Sequence, residues 1–147
     1  MCICDLLRLA FPKAAYGYFS RMTPSATSRP VALITGASRG IGHAIARRLA
    51  PTHDLILVAR DASRLADVAR EGEALGASVQ CIMADVQDAL VTGQRLTGLH
   101  VDVLVNNAGV AVMKPFLEMT AEEWHRQVDV NVNALYHVTR AVLPGMV

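Results

Sequence analysis

Three glycines in Val31-Ala-Leu-Ile-Thr-Gly-Ala-Ser-Arg-Gly-Ile-Gly42 are the first place where chemistry is legible. Gly36, Gly40 and Gly42 punctuate a tight turn between an apolar run and a segment carrying Ile41, Ala44, Ile45 and Leu49 at helical spacing. Such a turn gathers unpaired N–H groups and the positive end of a helix dipole at one point, which suits a phosphate. The spacing is G-x-x-x-G-x-G, not the common G-x-G-x-x-G, and three glycines alone fit an ordinary strand-to-helix turn equally well. A second candidate is Asn131, three residues after Val128 and four before Leu135, hence on the expected buried face of a helix. A buried amide must be hydrogen-bonded, either as a satisfied core residue or as part of a site. The histidines at 43, 53, 100, 125 and 137 are scattered without metal-ligand spacing, so surface or packing roles are expected.

Positioning these residues takes alternating strands and helices. Val31–Ile34 reads as a short buried strand and 55–59 (Leu-Ile-Leu-Val-Ala) as a second. Asp61 can cap the next helix, which places Leu65, Val68, Ala69 and Leu75 on its inner face and closes at Gly76. Val79–Met83 is the third strand, a weaker helix spans 89–96, and 101–105 (Val-Asp-Val-Leu-Val) is the fourth. Nearly continuous apolar runs are how parallel strands covered on both faces read. The expected fold is α/β, a doubly wound parallel sheet of about four strands with flanking helices and right-handed crossovers, incomplete as it stands. The last helix opens with a capping box, Thr120-Ala-Glu-Glu123. Its apolar stripe runs through Trp124, Val128, Val132, Leu135, Val138 and Val142, and Pro144-Gly145 should end it.

With 147 residues, 52% hydrophobic and 18% charged, the chain is one globular domain's worth, far from a disordered composition. A formal net charge of +1 without a basic stripe argues against nucleic acid, and no run is long enough to span a membrane. Cys2, Cys4 and Cys81 form neither a disulfide framework nor a zinc set, so a reducing, cytoplasmic setting is expected, with Cys81 a small core residue. Residues 1–29 differ from the rest: apolar patches, then a polar Thr23–Pro30 stretch. They are expected to be a leader and linker outside the fold, either preceding a true start at Met22 or serving as an amphipathic targeting segment. Residues 30–147 form the domain.

Four segments in order then carry a resemblance. Thr35-Gly-Ala-Ser-Arg-Gly-Ile-Gly42, Asp85-Val86 after the third strand, Asn106-Asn-Ala-Gly109 after the fourth, and Asp129-Val-Asn-Val132 followed by Leu143-Pro144 resemble the short-chain dehydrogenase/reductase family. The match runs from about Val31 to the end, and its order and spacing are far more specific than a lone glycine motif. The resemblance implies a Rossmann-like fold in which Gly36, Gly40, Ile41 and Gly42 form the turn against a cofactor pyrophosphate. Ser38 and Arg39 would reach the adenosine phosphate, or else remain solvated loop residues. Asp85, with Val86, would accept a bond from the adenine amino group, unless Asp85 is a turn cap. Asn107 would brace neighbouring loops, while Asn106, Ala108 and Gly109 would line the nicotinamide-ribose side. Asn131 would match the family asparagine that holds a water in the proton relay.

The end of strand two bears on which cofactor. An acid there hydrogen-bonds a ribose 2′-hydroxyl, whereas an arginine accommodates a 2′-phosphate. Here Ala59 stands where the family's acid would fall, followed by Arg60, with Arg39 as a second cation. The expectation is NADP(H). The implied activity is hydride transfer between nicotinamide and a small-molecule carbonyl or alcohol, in a protein expected to be a homo-oligomer when complete. The family's catalytic serine and Tyr-x-x-x-Lys come from a fifth strand and the following helix, which this sequence does not reach; Tyr136-His-Val-Thr-Arg140 carries Arg for Lys in the wrong helix and is rejected. The 147 residues alone are therefore expected to be inactive. The rival expectation is a non-catalytic nucleotide-binding or interaction protein that ends naturally at residue 147.

Overall fold

Each of the four runs expected as strands contributes one in the computed structural model, which describes residues 29–147. β1 (Val31–Thr35), β2 (Asp54–Ala59), β3 (Val79–Met83) and β4 (Val103–Val105) form one parallel sheet in the order β3-β2-β1-β4. Ala32 stands opposite Leu55 on one side and Val103 on the other, which aligns the strand ends on one edge. The expected leader, with Cys2, Cys4 and Met22, lies outside the described residues apart from Arg29. That residue is already tied to the domain: its guanidinium donates to the His53 carbonyl at 3.1 Å and pairs with Asp54 at 3.3 Å.

The pleat sends alternate residues to opposite faces, and two cores result. Ala32, Ile34, Leu55 and Leu57 pack with Ala46 and Ala50 of α1 (Gly40–Leu49) and its end, and with Leu65 and Val68 of α2 (Ala62–Ala74). Leu33, Ile56, Val58 and Ile82 pack on the other face, against Leu96 of α3 (Ala89–Leu96) and Val138 and Val142 of α5 (Ala134–Met146). The result is three layers, helices on both faces of a parallel sheet. The helix signals act as expected. Asp61 accepts from the Arg64 N–H at 3.0 Å, Asp88 does the same for Val91, and Gly76 at φ +93° ends α2.

Several expectations are corrected. β4 is three residues, not five; Val101 and Asp102 precede it, and Asp102 instead accepts the Val31 N–H at 2.8 Å. Cys81 is exposed on β3, the edge strand, although its thiol reaches the Leu65 carbonyl of α2 at 3.7 Å; burial, though partial, still pushes the thiol pKa up. Leu75, at the end of α2, is 42% exposed, not on the inner face. The last helix is not one regular rod. α4 (Ala121–Val128) runs into a π-helical turn, Asp129–Asn133, before α5. A π turn takes up an extra residue, so the stripe slips in phase. Val138 and Val142 are buried as expected, joined by Val130, Ala134 and Ala141, whereas Trp124, Val132 and Leu135 face outward. Pro144 does not end the helix; it sits in the last turn, and α5 continues to Met146.

Candidate functional site

The strand ends open on a cavity of about 600 Å³. In this strand order, β1 leads through α1 to β2 on one side, while the crossover from β3 delivers β4 to the other. The edge between β1 and β4 is therefore the point where connections diverge, the usual place for a ligand in an open α/β sheet.

The turn after β1 is shaped by absent side chains. Gly36 and Gly40 adopt φ +66° and +57°, backbone that favours glycine. A Cβ on Gly36 would sit 2.9 Å from Ala108 Cα, and one on Gly42 would collide with the Gly36 carbonyl and the Asn107 amide. Arg39, in extended conformation, holds the N-cap position of α1 without a side-chain cap, and the first turn carries no acid. The N–H groups that open α1 thus receive no side-chain acceptor, and Ile41, 73% exposed, stands beside them at the cavity mouth.

The turn after β4 is tied down by hydrogen bonds. Thr35, 2% exposed, accepts from the Asn107 and Ala108 N–H groups, each at 3.0 Å. The Asn107 side chain donates to the carbonyls of Thr35 at 2.9 Å and Gly36 at 3.3 Å, so it braces the ends of β1 and β4. Further on, both ends of the Asn131 amide engage Val110: its Oδ1 accepts the Val110 N–H at 2.9 Å and its Nδ2 donates to the carbonyl at 2.8 Å. Gln127, one turn earlier, accepts the Val112 N–H at 3.1 Å.

At the other end, beyond β2 and β3, the cavity is bordered by charge. Arg60 Nη1 lies 3.5 Å from Asp85 Oδ2, and Arg64 Nε lies 3.3 Å from Asp61 Oδ2. Asp85 Oδ1 also accepts the Gln87 N–H at 3.1 Å. Ala59, 7% exposed, lines the cavity at the end of β2.

Of the residues expected at the site, Gly36, Ser38, Arg39, Gly40, Ile41, Arg60, Asp85, Val86, Ala108 and Gly109 all line this cavity. Gly42 does not; it lies beneath the turn, where its missing side chain lets Gly36 and Asn107 approach. Asn106 and Asn131 belong to an adjoining space of about 150 Å³, with Asn106 donating to Thr139 Oγ1 at 3.1 Å. Asn131 is exposed, not buried, because the π turn carries it to the rim, where the Val110 backbone satisfies it. Sequence reasoning missed Thr35, Arg64 and Gln127. Their signals were present: a threonine closing a strand before the glycine turn, an arginine in the first turn of α2, and an amide four residues before Asn131. Among the described residues no cluster of His, Cys, Asp and Glu could hold a metal ion, and no helix is long and apolar enough to cross a membrane.

Comparison with known proteins agrees with this geometry. Residues 30–147 match the family model described as short chain dehydrogenase. The NADP-dependent 3-hydroxy acid dehydrogenase YdfG of Shigella flexneri is 36% identical over 124 residues, covering 80% of this chain and 49% of that protein. Oxidoreductase UcpA of Salmonella typhimurium is 40% identical over 122 residues, covering 79% and 46%. The chain thus spans about half the length of these curated relatives. Among solved structures, a metagenomic short-chain oxidoreductase in complex with NADP superposes with a TM-score of 0.76 at 40% identity, over 83% of this chain and 58% of that one. Sheet order, nested turns and sequence kinship lead to one assignment: the chain belongs to the short-chain dehydrogenase family, with its doubly wound, Rossmann-like fold.

Proposed function

We propose that residues 30–147 form the NADP(H)-binding part of an oxidoreductase that transfers hydride between nicotinamide and a small-molecule carbonyl or alcohol. The observation that carries this is the cavity itself, with uncapped helix N–H groups and a glycine-punctuated turn at its centre and arginines at its β2–β3 end. Its volume lies in the range of small-molecule sites. A pyrophosphate fits the start of α1, where Gly36 and Gly40 expose backbone and no side chain competes for the N–H groups. Arg39, Arg60 and Arg64 surround the position of a 2′-phosphate, and Ala59 offers it no repelling carboxylate. Asp85 faces the adenine end; Ala108 and Gly109 leave room for the nicotinamide ribose. The bound nicotinamide would supply or accept the hydride. Asn131 holds Val110 in place beside that end, as a positioning group for the loop.

The chain contains no Tyr-x-x-x-Lys, and we propose that these residues alone bind the cofactor without turnover. Tyr136 is outward on α5, its hydroxyl accepting from Arg140 at 2.7 Å, and takes no part. The outward Trp124, Val132 and Leu135 support homo-oligomerisation through the α4–α5 face. NADP-dependence of YdfG and the NADP complex of the metagenomic oxidoreductase support the choice of cofactor.

Calorimetric titration of the chain with NADPH and NADH tests the proposal. Arg60 is 57% exposed, so the lower end of charge-assisted contacts applies: about 1.5 kcal/mol, or roughly tenfold in favour of NADPH. Ala59→Asp combined with Arg60→Ala should reverse the order. Equal affinity for the two nucleotides in the unaltered chain would refute the assignment.

A further inference from the structure

Arg60 and Asp85 are not independent groups that happen to share a cavity. They stand on neighbouring strand ends locked together just beneath them, where the Ala84 N–H donates to the Ala59 carbonyl at 3.0 Å. Gln87 occupies one oxygen of Asp85, with its backbone N–H at 3.1 Å and its side-chain amide at 3.3 Å from Oδ1. The other oxygen, Oδ2, faces Arg60 at 3.5 Å, with the Gln87 side-chain amide reaching it only at the far end of its range, also 3.5 Å. An adenine amino group arriving at Asp85 therefore competes with a guanidinium for the same acceptor. A 2′-phosphate, with more negative charge than a carboxylate and three acceptor oxygens, draws that guanidinium away. The pair is 57% and 39% exposed, hence weak enough for a ligand to open.

Building on the cofactor reading above, we propose that the Arg60–Asp85 ion pair couples the two ends of nucleotide recognition. Phosphate capture by Arg60 releases Asp85 Oδ2 to accept the adenine amino group. Without the phosphate, Asp85 stays engaged by Arg60 and the amino group gains little. Selectivity for the phosphorylated cofactor then arises at the base as well as at the phosphate. Coupling of this kind is reciprocal and shows as non-additivity in a thermodynamic cycle.

The test is a ligand-side cycle on the full chain by calorimetry, with NADPH, NADH and their two hypoxanthine counterparts, in which a carbonyl replaces the amino group. Loss of the amino group should weaken binding of the phosphorylated ligand more than that of the unphosphorylated one, by about threefold for a pair of this exposure. In Arg60→Gln, with an unchanged circular dichroism spectrum, that excess should vanish. Equal losses in the unaltered chain, an excess of opposite sign, or an excess that survives Arg60→Gln would each overturn the coupling while leaving the cofactor assignment intact. Failure of the unaltered chain to bind any of the four would instead remove the cofactor assignment, and the coupling with it.

Discussion

The turn after β1 and the turn after β4 meet across one cavity, yet they are held by different means. The first is fixed by contact. Gly36 has no room for a side chain because the Ala108 backbone and the Asn107 amide stand against it, and Gly42 has none because the Gly36 carbonyl and the same amide occupy the space. The second is fixed by hydrogen bonds sent from elsewhere: Thr35 beneath it, Asn131 and Gln127 from the helix beyond. A turn held by contact tolerates no added volume. A turn held by side-chain hydrogen bonds tolerates volume but depends on groups distant in sequence.

The largest test of that contrast is Gly42→Ala, whose Cβ would meet the Gly36 carbonyl. Overpacking against backbone should destabilise the domain by about 3 kcal/mol, a large share of an ordinary total of about 5–15 kcal/mol. Gly40→Ala is the control. Its φ of +57° strains an alanine, but nothing lies within 4 Å of the added atom, so about 1 kcal/mol is expected. Similar denaturation midpoints for the two variants would break the claim that contact shapes this turn.

For the other turn, Thr35→Val should cost about 2 kcal/mol in urea unfolding, because two N–H groups lose their acceptor in a buried place. Thr35→Ser should recover most of it; if valine behaves like serine, the hydroxyl is not the anchor. Asn131→Ala should cost less, about 1 kcal/mol, since the residue is exposed. Its signature is local: faster hydrogen exchange at Val110, with the N–H groups bonded to Thr35 unchanged.

The smallest effect is one of pH. Glu123 accepts from Lys114 at 2.6 Å and from the Thr120 N–H at 2.9 Å, and these bonds hold its pKa below the usual carboxylate range. A carboxyl depressed in the folded state adds stability above its unfolded pKa and loses it as the pH falls through the folded value. Acidification below the usual carboxylate range should therefore loosen the start of α4, which carries Gln127 and leads to Asn131. Amide shifts of Thr120 and Val112 should move together in an acid titration while those of Gly36 and Gly40 stay put. Movement at the glycines in the same range would show the two turns to be one unit.

Much of this arrangement was legible in the residues. Strand positions followed from apolar runs, caps from Asp61 and Thr120, and the glycine turn from its spacing, because each is a local matter of backbone geometry and hydrogen bonding. What escaped was set by packing or by phase. Cys81 looked like core because its strand is apolar, but an edge strand is covered on fewer sides. A strict 3.6-residue period placed Asn131 and Trp124 inward, and one π turn put both on the outside. Thr35 was overlooked because its partners, Asn107 and Ala108, lie 72 and 73 positions away.

The sheet order also implies a timetable. β2 finds β3 across a short crossover, with Asp54 accepting from Ser78 only 24 positions on, whereas β1 must wait for β4, with Val31 bonded to Asp102 across 71 positions. Closing the longer loop carries the greater entropy loss, and non-local pairings tend to form late. The three-strand unit β1–β2–β3 is thus expected to gain exchange protection before β4 in a pulse-labelling refolding experiment; early protection of β4 would contradict this order. During that interval the open side of β1, Val31 to Thr35, is an apolar strand margin free to pair with another copy. One margin of the strand at the heart of the nucleotide site is, on this account, left bare until β4 docks.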